Sequence, residues 1–367
     1  MLIYHTSDWH LGRMLYGRSL LSDQEHFLYN VFLPAVEREH PAGVIIAGDI
    51  YDRQVAAIEA IRLFDGVLDR LVNLGCKVFA VSGNHDGAGR MAIMKSALRR
   101  SGVYIATTLE EAMEPVTLSE GGETVQLALL PYCDPSAVRD LLCDSDLRGE
   151  TACMGALLDR IRPKLDPKLP RLLVAHCFAA GASLSDSESV FVGGSGQVSP
   201  EVFAGFDYVA LGHLHGPQPA GENARYSGSP LKYSIGEAGQ RKCFLRLEIS
   251  HGRISCQERD ITPLRDVRRI EGSFDELMSG SSEDYVELHL TDRDPVLLAA
   301  QRLRPRYPNL LSVTNSWTLK APGERAGRLS GRDQQAVFTA FMKDVCGLET
   351  EGEDLELFRE IWREVQP

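Results

Sequence analysis

The sequence has no long hydrophobic run and no paired cysteine motif. No segment approaches the roughly 18 consecutive apolar residues that a membrane-spanning helix needs. The N-terminus lacks the basic start and small-residue cleavage site of a signal peptide. The eight cysteines are scattered without a C-x-x-C pair, which argues against a zinc ribbon or a dithiol redox site. We therefore expect a cytoplasmic protein that does not enter a membrane and keeps its thiols free.

Positive charge is also scarce. The 367 residues include 39 Lys and Arg against 51 Asp and Glu, so the net charge is −12. Affinity for nucleic acid comes largely from cations that neutralise phosphates. A DNA-binding role would therefore need a local basic surface, bound metals or a partner protein. The length and the hydrophobic content of 44% indicate a globular chain with one large domain and smaller additions.

The first half of the chain alternates between apolar and helical patterns. Six apolar segments predict buried strands, namely residues 2–6, 43–47, 77–81, 125–130, 171–176 and 208–211. Residues 56–75 place Ile, Leu and Val at helical spacing and close on Gly75. Such alternation is typical of an α/β fold. Beyond residue 215, two more strand patterns predict an antiparallel pair that completes a first domain, residues 1–263.

A small α+β cap is predicted next, over residues 264–322. Its pattern consists of strands at 285–290 and 310–317 with a helix at 294–308 between them.

The C-terminal part has linker composition over residues 323–331 and two amphipathic helical stretches within 332–367. Their apolar stripes comprise Val337, Phe338, Phe341, Met342 and Val345, followed by Leu355, Leu357, Phe358, Ile361, Trp362 and Val365. These stripes either fold back onto the chain's own core or bind a partner protein, and the linker favours a partner.

Five strand-end segments carry side chains of the kind that bind divalent metals. They are SDWH at 7–10, GDIYD at 48–52, GNHD at 83–86, AHC at 175–177 and GHLH at 212–215. The candidate ligands are Asp8, His10, Asp49, Asn84, His176, His213 and His215. Carboxylate, imidazole and amide together suit borderline and hard divalent ions. Open α/β sheets bind ligands at the carboxyl ends of their strands, so these segments are expected to meet.

Seven ligands are enough for two metals if one carboxylate, for which Asp49 is the candidate, bridges them. A metal pair about 3.5–4 Å apart is a known device for in-line displacement at phosphorus. The pattern therefore predicts a two-metal phosphoesterase. The structural alternative, in which each Asp, Asn and His caps a helix or fills a turn, has to explain five such segments at five strand ends.

His85 is the candidate catalytic acid, because its neighbour Asn84 is a candidate ligand and imidazole exchanges protons near neutral pH. The alternative is a histidine that only bonds a neighbouring loop. Asp86 is expected to orient a site histidine from outside the ligand set. Arg13, Arg53 and Arg90 follow ligand segments and are candidates for phosphate contacts or for ordinary salt bridges.

The order D-x-H, GD, GNHD, H and G-H-x-H resembles the calcineurin-like metallophosphoesterases. The longer stretches HTSDWHLGR (5–13), FVGGSGQVSPEVFAGFDYVALGHLHGPQ (191–218) and YSGSPLKYSIGEAGQRK (226–242) resemble the SbcD nuclease subunits of bacteria. This resemblance implies a sandwich of two β-sheets flanked by helices. One metal would be held by Asp8, His10, Asp49 and His215, and the other by Asp49, Asn84, His176 and His213. The ions would be two Mn²⁺, with Mg²⁺ as the alternative, and His85 would be the catalytic histidine.

The resemblance also implies partners and an activity. The C-terminal helices would grip an SbcC-like coiled-coil ATPase, within a heterotetramer that contains a homodimer of this chain. The complex would degrade duplex DNA ends from 3′ to 5′ and cut single strands and hairpins in repair and recombination. Archaeal relatives place a second active-site histidine where this chain has Asp52, which is therefore expected to act beside the ligands rather than as one.

Two other functions remain open from the residues. A stand-alone phosphoesterase for a small diester or monoester agrees with the net charge of −12 but gives no role to the cap and the tail. A non-catalytic scaffold would have no need of intact ligands in all five segments.

Overall fold

The computed structural model describes residues 1–183, 185, 196–315, 335, 338–339, 342–343, 350 and 352–365. The chain divides into two compact units, residues 1–267 and 268–367. Among the described residues, no helix is long and apolar enough to cross a membrane.

The first unit contains two six-stranded sheets. The first sheet has the order β16-β15-β1-β4-β5-β6, and its strands are β1 (Leu2–Thr6), β4 (Gly43–Ala47), β5 (Lys77–Val81), β6 (Val103–Ala106), β15 (Cys243–Ser250) and β16 (Arg253–Asp260). Strands β1, β4, β5 and β6 are parallel, whereas β15 and β16 add an antiparallel edge. The predicted antiparallel pair after residue 215 is therefore confirmed, and it extends the sheet that the N-terminal strand begins.

The second sheet has the order β13-β14-β12-β9-β8-β7. Its strands are β7 (Val116–Glu120), β8 (Glu123–Leu130), β9 (Arg171–His176), β12 (Tyr208–Gly212), β13 (Gln218–Pro219) and β14 (Ala224–Tyr226). Strands β8, β9, β12 and β14 run parallel. Two short ribbons complete the strands of this unit: β2 (Met14–Leu15) with β3 (Arg18–Ser19), and β10 (Phe178–Ala179) with β11 (Gln197–Val198). All six predicted strands are confirmed.

The two sheets pack face to face, which explains why their strands are apolar on both sides. Along β4, Ile45 and Ala47 pack with the second sheet, whereas Val44 and Ile46 pack with the helices. Burial on both faces removes the polar alternation of a half-exposed strand. The expected sandwich of two sheets flanked by helices is confirmed.

Helices cover the outer face of each sheet. The first sheet carries α1 (Leu21–His26), α2 (Leu33–Glu39), α3 (Ile58–Asn73), α4 (Ala88–Met91) and α5 (Lys95–Arg100), with a π-helical segment at Phe27–Phe32. The second carries α6 (Pro135–Leu142) and α7 (Gly149–Ile161), and short 3-10 helices lie at Glu110–Met113, Arg162–Lys164, Pro200–Phe203 and Ile235–Glu237. The helix predicted over 56–75 is confirmed as α3. Its buried face is made of Leu63, Phe64, Val67 and Leu71.

The second unit is a small α+β arrangement. A three-stranded sheet of order β17-β18-β19 consists of β17 (Val267–Gly272), β18 (Tyr285–Leu290) and β19 (Leu310–Asn315), accompanied by α8 (Phe274–Ser279), α9 (Ala299–Leu303) and α10 (Gly352–Val365). The helix predicted over 294–308 is wrong in length, because Leu298 adopts φ +53° and only Ala299–Leu303 is α-helical. The predicted linker 323–331, and Val337, Phe341 and Val345 of the first tail stripe, lie outside the described residues.

At Gly212 the two sheets approach each other closely. A Cβ atom at this position would overlap the carbonyl oxygen of Ala47 at the end of β4 and lie 3.0 Å from Nδ1 of His176. Only glycine lets β12 end this close to β4. This contact sets the spacing between the strand ends of the two sheets.

We expect Gly212→Ala to lower the free energy of unfolding by about 1–3 kcal/mol, since an overpacked contact forces the backbone to move. Urea denaturation with a metal chelator present measures the loss apart from any metal effect. Gly239→Ala is the matched control, because a Cβ there meets no heavy atom within 4 Å. Equal stability of the two variants would contradict the view that only glycine fits the contact between β12 and β4.

Candidate metal centre

The five ligand segments meet at one rim of the sandwich. Strands β1, β4 and β5 bring the first three segments to this rim, and β9 and β12 bring the other two. Backbone hydrogen bonds join the first two segments: Asp8 N donates to Gly48 O at 3.0 Å, and His10 N donates to Asp49 O at 2.9 Å. The predicted strand-end position of these segments follows directly from the parallel pairing.

Four candidate ligands have left-handed backbone. The φ angles are +53° at Asp8, +43° at His10, +50° at Asp49 and +109° at His213. Non-glycine residues rarely adopt positive φ, and such strained positions cluster at functional sites. Here the left-handed residues turn the chain sharply after a strand, so that successive ligand side chains face the same point.

The carboxylate of Asp49 lies at the middle of the cluster. Its Oδ2 is 3.6 Å from Nε2 of His10 on one side and 3.4 Å from Nε2 of His176 on the other. On the first side, Nε2 of His10 also lies 3.2 Å from Nε2 of His215. Asp8, His10 and His215 offer donor atoms that all lie within 4.8 Å of one another.

Asn84 completes the other side of the cluster. Its Oδ1 lies 2.9 Å from Nε2 of His176 and 3.2 Å from Nδ1 of His213. Nδ1 of His176 is bonded to the carbonyl oxygen of Ala47 at 2.9 Å, which orients the ring. The structure therefore brings all seven candidate ligands into one site, with Asp49 between two groups.

Access to the cluster differs between the ligands. Asp8, His10, Asp49, His176 and His215 are buried, whereas Asn84, His85 and His213 are partly exposed. A phosphate that reaches the cluster must approach from the partly exposed side. His85 borders that opening.

Burial controls the protonation of the ligands. It raises the pKa of Asp8 to about 6 and lowers the pKa of His213 to about 3. Burial also holds the pKa of His10 well below its usual value, so that imidazole is neutral. Burial opposes ionisation of Asp49, but the adjacent His176 outweighs it and keeps the pKa of Asp49 below its usual range. Neutral imidazole and ionised carboxylate are the forms that bind metals.

His176 is the exception among the imidazoles. Burial disfavours its charged form, yet the Asp49 carboxylate outweighs burial and raises the pKa of His176 to about 9. A positive charge is therefore stabilised beside Asp49. A divalent cation in the cluster would take the place of that proton.

The donor set fits divalent cations. Nε2 of His10 faces Nε2 of His215, although a neutral imidazole presents only one N–H. Nδ1 of His10 is buried without a hydrogen-bond partner among the described residues. Both rings can direct an Nε2 lone pair at a cation placed between them, which is how imidazole binds divalent metals. The site thus has the chemistry of a divalent-metal centre.

His85 lies against the cluster through its ring and its backbone. Its ring centroid is 4.8 Å from that of His10, and its N–H donates to Oδ1 of Asp49 at 2.9 Å. Nδ1 is bonded to the carbonyl oxygen of Asp52 at 2.9 Å, so this nitrogen carries a proton. Nε2 is then the nitrogen available for proton exchange with a substrate.

Asp86 binds backbone N–H groups. The prediction that it orients a histidine was therefore wrong. Its carboxylate accepts hydrogen bonds from the N–H groups of Gly83, Ile50 and Tyr51 at 2.9, 3.2 and 2.9 Å. It therefore ties two ligand-bearing loops together. No signal in the sequence distinguishes this role from a bond to a side chain.

Asp52 pairs with two of the three candidate arginines. Nη1 of Arg13 donates to Oδ1 of Asp52 at 2.7 Å, and Nε of Arg53 lies 3.6 Å from Oδ2 of Asp52. The same Oδ1 is 3.7 Å from Nδ1 of His10, so Asp52 lies beside the cluster. Arg90 instead lines a cavity of about 320 Å³ between α3 and α4, and no described contact joins it to the cluster.

Residues around His215 had no sequence signal. Glu237 is fully buried and its Oε1 lies 3.2 Å from Nδ1 of His215. Although burial favours its neutral form, the bond to His215 and the charge of Lys242 hold the pKa of Glu237 below its usual range. A single glutamate 22 positions after a histidine follows no spacing rule, so only the fold could reveal it.

Comparison with known proteins agrees with this geometry. Residues 1–217 match the calcineurin-like phosphoesterase family. The chain belongs to this family. Residues 263–345 match a second family, described as the type 5 capsule protein repressor C-terminal domain.

A relative over nearly the full length is the SbcD subunit of the nuclease SbcCD from Staphylococcus epidermidis. It is 30% identical over 354 residues, which cover 94% of this chain and 93% of that protein. The chain is therefore SbcD-like, as the three longer sequence stretches indicated, and its family is one of divalent-metal phosphodiester hydrolases.

Proposed function

We propose that this chain is the nuclease subunit of an SbcCD-type complex, which cleaves DNA with two metal ions. The observation that carries the proposal is the convergence of seven metal donors beside His85 at a partly exposed rim. The likeness to a nuclease subunit over 94% of the chain supports DNA as the substrate. The activities would be 3′–5′ exonuclease on duplex ends and endonuclease on single strands and hairpins.

The ligands divide into two sets around Asp49. We assign Asp8, His10, Asp49 and His215 to one ion, and Asp49, Asn84, His176 and His213 to the other. The position of Asp49 Oδ2, 3.6 Å from His10 and 3.4 Å from His176, supports its bridging role. The mixture of imidazole and carboxylate donors suits Mn²⁺, and Mg²⁺ is the alternative.

When bound, divalent cations supply Lewis acidity toward the phosphoryl group. The proton chemistry belongs to His85. Its Nδ1–H donates to Asp52 O, which fixes the orientation of the ring. Nε2 can then hold a proton for the departing 3′ oxygen. Arg13 and Arg53 form ion pairs with Asp52, and from there they can contact the DNA phosphates next to the cleaved bond.

The second candidate is a stand-alone enzyme for small phosphoesters. The net charge of −12 favours it, because an acidic protein repels a small phosphoester less than it repels the many phosphates of DNA. Substrate choice decides between the two. The nuclease should cleave an oligonucleotide far more efficiently than a chromogenic diester.

We expect His85→Gln to lower single-turnover cleavage of single-stranded DNA by about 10²–10⁴-fold, the usual worth of a positioned acid. Cleavage of bis(4-nitrophenyl) phosphate should fall much less, because nitrophenolate departs without protonation. Manganese binding, measured by calorimetry, should stay the same.

His26→Gln, on α1 and outside the cluster, is the matched control for His85→Gln. Loss of a bound ion would make His85 a ligand. Equal losses on both substrates would contradict the role of His85 as the acid. A strong preference of the wild-type chain for the small diester would favour the stand-alone enzyme.

We also propose that two copies of the chain form a homodimer. Five apolar residues in and near α3 and after α4 are 45–73% exposed, namely Val55, Ile58, Ile61, Ile93 and Met94. Ile61 and Ile93 line one cavity, so α3 and the segment after α4 share this surface. Exposed apolar surface shared by two segments supports an interface here.

The double variant Ile61→Glu with Ile93→Glu should shift the chain from dimer to monomer in sedimentation analysis, since paired charges in an apolar interface repel. Arg62→Glu, exposed on the same helix, should leave the mass unchanged. A monomeric wild-type chain, or a double variant that remains dimeric, would contradict the proposal.

The C-terminal tail is proposed to dock onto an SbcC-like coiled-coil ATPase. Phe358 of α10 stacks on Phe338 with ring centroids 4.4 Å apart, so part of the apolar stripe is used within the tail. Leu357, Ile361 and Trp362 are 58%, 52% and 39% exposed. An amphipathic helix that exposes apolar residues after such pairing suits a partner's groove or coiled coil.

Leu357→Asp with Ile361→Asp should abolish co-purification with the ATPase subunit, while manganese-dependent cleavage of single-stranded DNA continues. Glu360→Gln on the same helix should bind the subunit normally. Full recovery of the complex with the double variant would remove the tail from the interface.

A further inference from the structure

The segment 227–242 contributes two buried charges beside the metal centre. Glu237 is 0% exposed and Lys242 is 7% exposed. Removing two charges from water carries a large desolvation cost that Coulomb attraction repays only with close, well-formed contacts. A buried ion pair is therefore informative where it holds a particular residue in place. This segment belongs to the stretch YSGSPLKYSIGEAGQRK, which supplies none of the seven metal ligands.

The ion pair holds both the side chain and the backbone of His215. Oε1 of Glu237 lies 3.2 Å from Nδ1 of His215, and Oε2 accepts from Nζ of Lys242 at 2.6 Å. Nζ of Lys242 also donates to the carbonyl oxygen of His215 at 2.8 Å. Ser229 Oγ and Gln240 Oε1 lie 2.9 and 2.8 Å from the same Nζ.

This support differs from that of the other buried imidazoles in the described cluster. Nδ1 of His176 is held by a backbone carbonyl, that of Ala47. Nδ1 of His10 is 3.7 Å from the Asp52 carboxylate, beyond hydrogen-bond distance. A carboxylate behind a metal-binding imidazole fixes its tautomer and strengthens its remaining lone pair more than a carbonyl does.

We infer that Glu237 is a positioning residue of the metal centre, because it keeps a proton on Nδ1 of His215 and so leaves the lone pair on Nε2. Lys242 holds Glu237 in the position that this requires. The inference rests on the proposed function, because it needs His215 to be a metal ligand. It predicts that one of the two metal affinities depends on Glu237, whereas the other does not. Glu237 acts through His215 and never touches the substrate.

Titration of the full chain with Mn²⁺ by calorimetry tests this inference. Glu237→Leu combined with Lys242→Met removes the carboxylate without leaving a buried charge unpaired. We expect it to weaken one binding step about 10–100-fold and to leave the other unchanged. Glu237→Gln keeps an oxygen that accepts from Nδ1–H, so it should recover part of the lost affinity.

Electron paramagnetic resonance of Mn²⁺ provides a second readout, because the signal of a coupled pair should weaken in the double variant at limiting metal. Glu39→Gln is the matched control, since Glu39 pairs with Arg246 at 3.0 Å away from the ligands. Its metal binding should equal that of the wild type.

Two results would overturn the inference: wild-type metal binding in both Glu237 variants, or equal weakening of both steps together with lower stability of the metal-free protein. A wild-type chain that binds no divalent cation would instead remove the proposed function itself.

Discussion

The crowding of buried donors at the sandwich rim is the constraint on which the site depends. Asp8, Asp49, His10 and His176 lie within a few ångströms of one another and almost out of water. Buried lone pairs and carboxylates repel unless protons or cations lie between them. The Asp49 carboxylate raises the pKa of His176, so a positive charge beside Asp49 is stabilised. Divalent cations held by these residues would meet that need, and their binding would favour the folded rim.

The sandwich supplies the rigid frame for this crowding. Its inter-sheet core fixes the distance between the strand ends, and Gly212 permits the close contact with Ala47. Two different devices then hold the loops. Asp86 ties the second and third ligand segments through three backbone N–H groups, whereas the Glu237–Lys242 pair holds the imidazole and the backbone carbonyl of His215. The first arrangement joins two loops, and the second fixes a single residue.

An acidic chain that acts on DNA must concentrate positive charge where it is needed. Arg13 and Arg53 converge on Asp52 beside the opening of the cluster, and bound cations would add further charge at the same place. Attraction to phosphate is then local, because exposed charges farther away than about 8 Å are largely screened at physiological salt. The remaining acidic surface reduces non-specific contact with nucleic acid.

The sequence by itself determined the strands, α3 and the seven candidate ligands that the fold brings together, because burial on both faces and strand-end motifs are local patterns. It overestimated the helix at 294–308, since the left-handed Leu298 interrupts the helical pattern there. Only the tertiary structure revealed Glu237 beside His215 and the bonds from Asp86 to the backbone of Ile50 and Tyr51, as these contacts join residues 22 to 36 positions apart. Hydrogen bonds between distant segments leave no periodic trace in a sequence; they exist only once the fold brings the loops together.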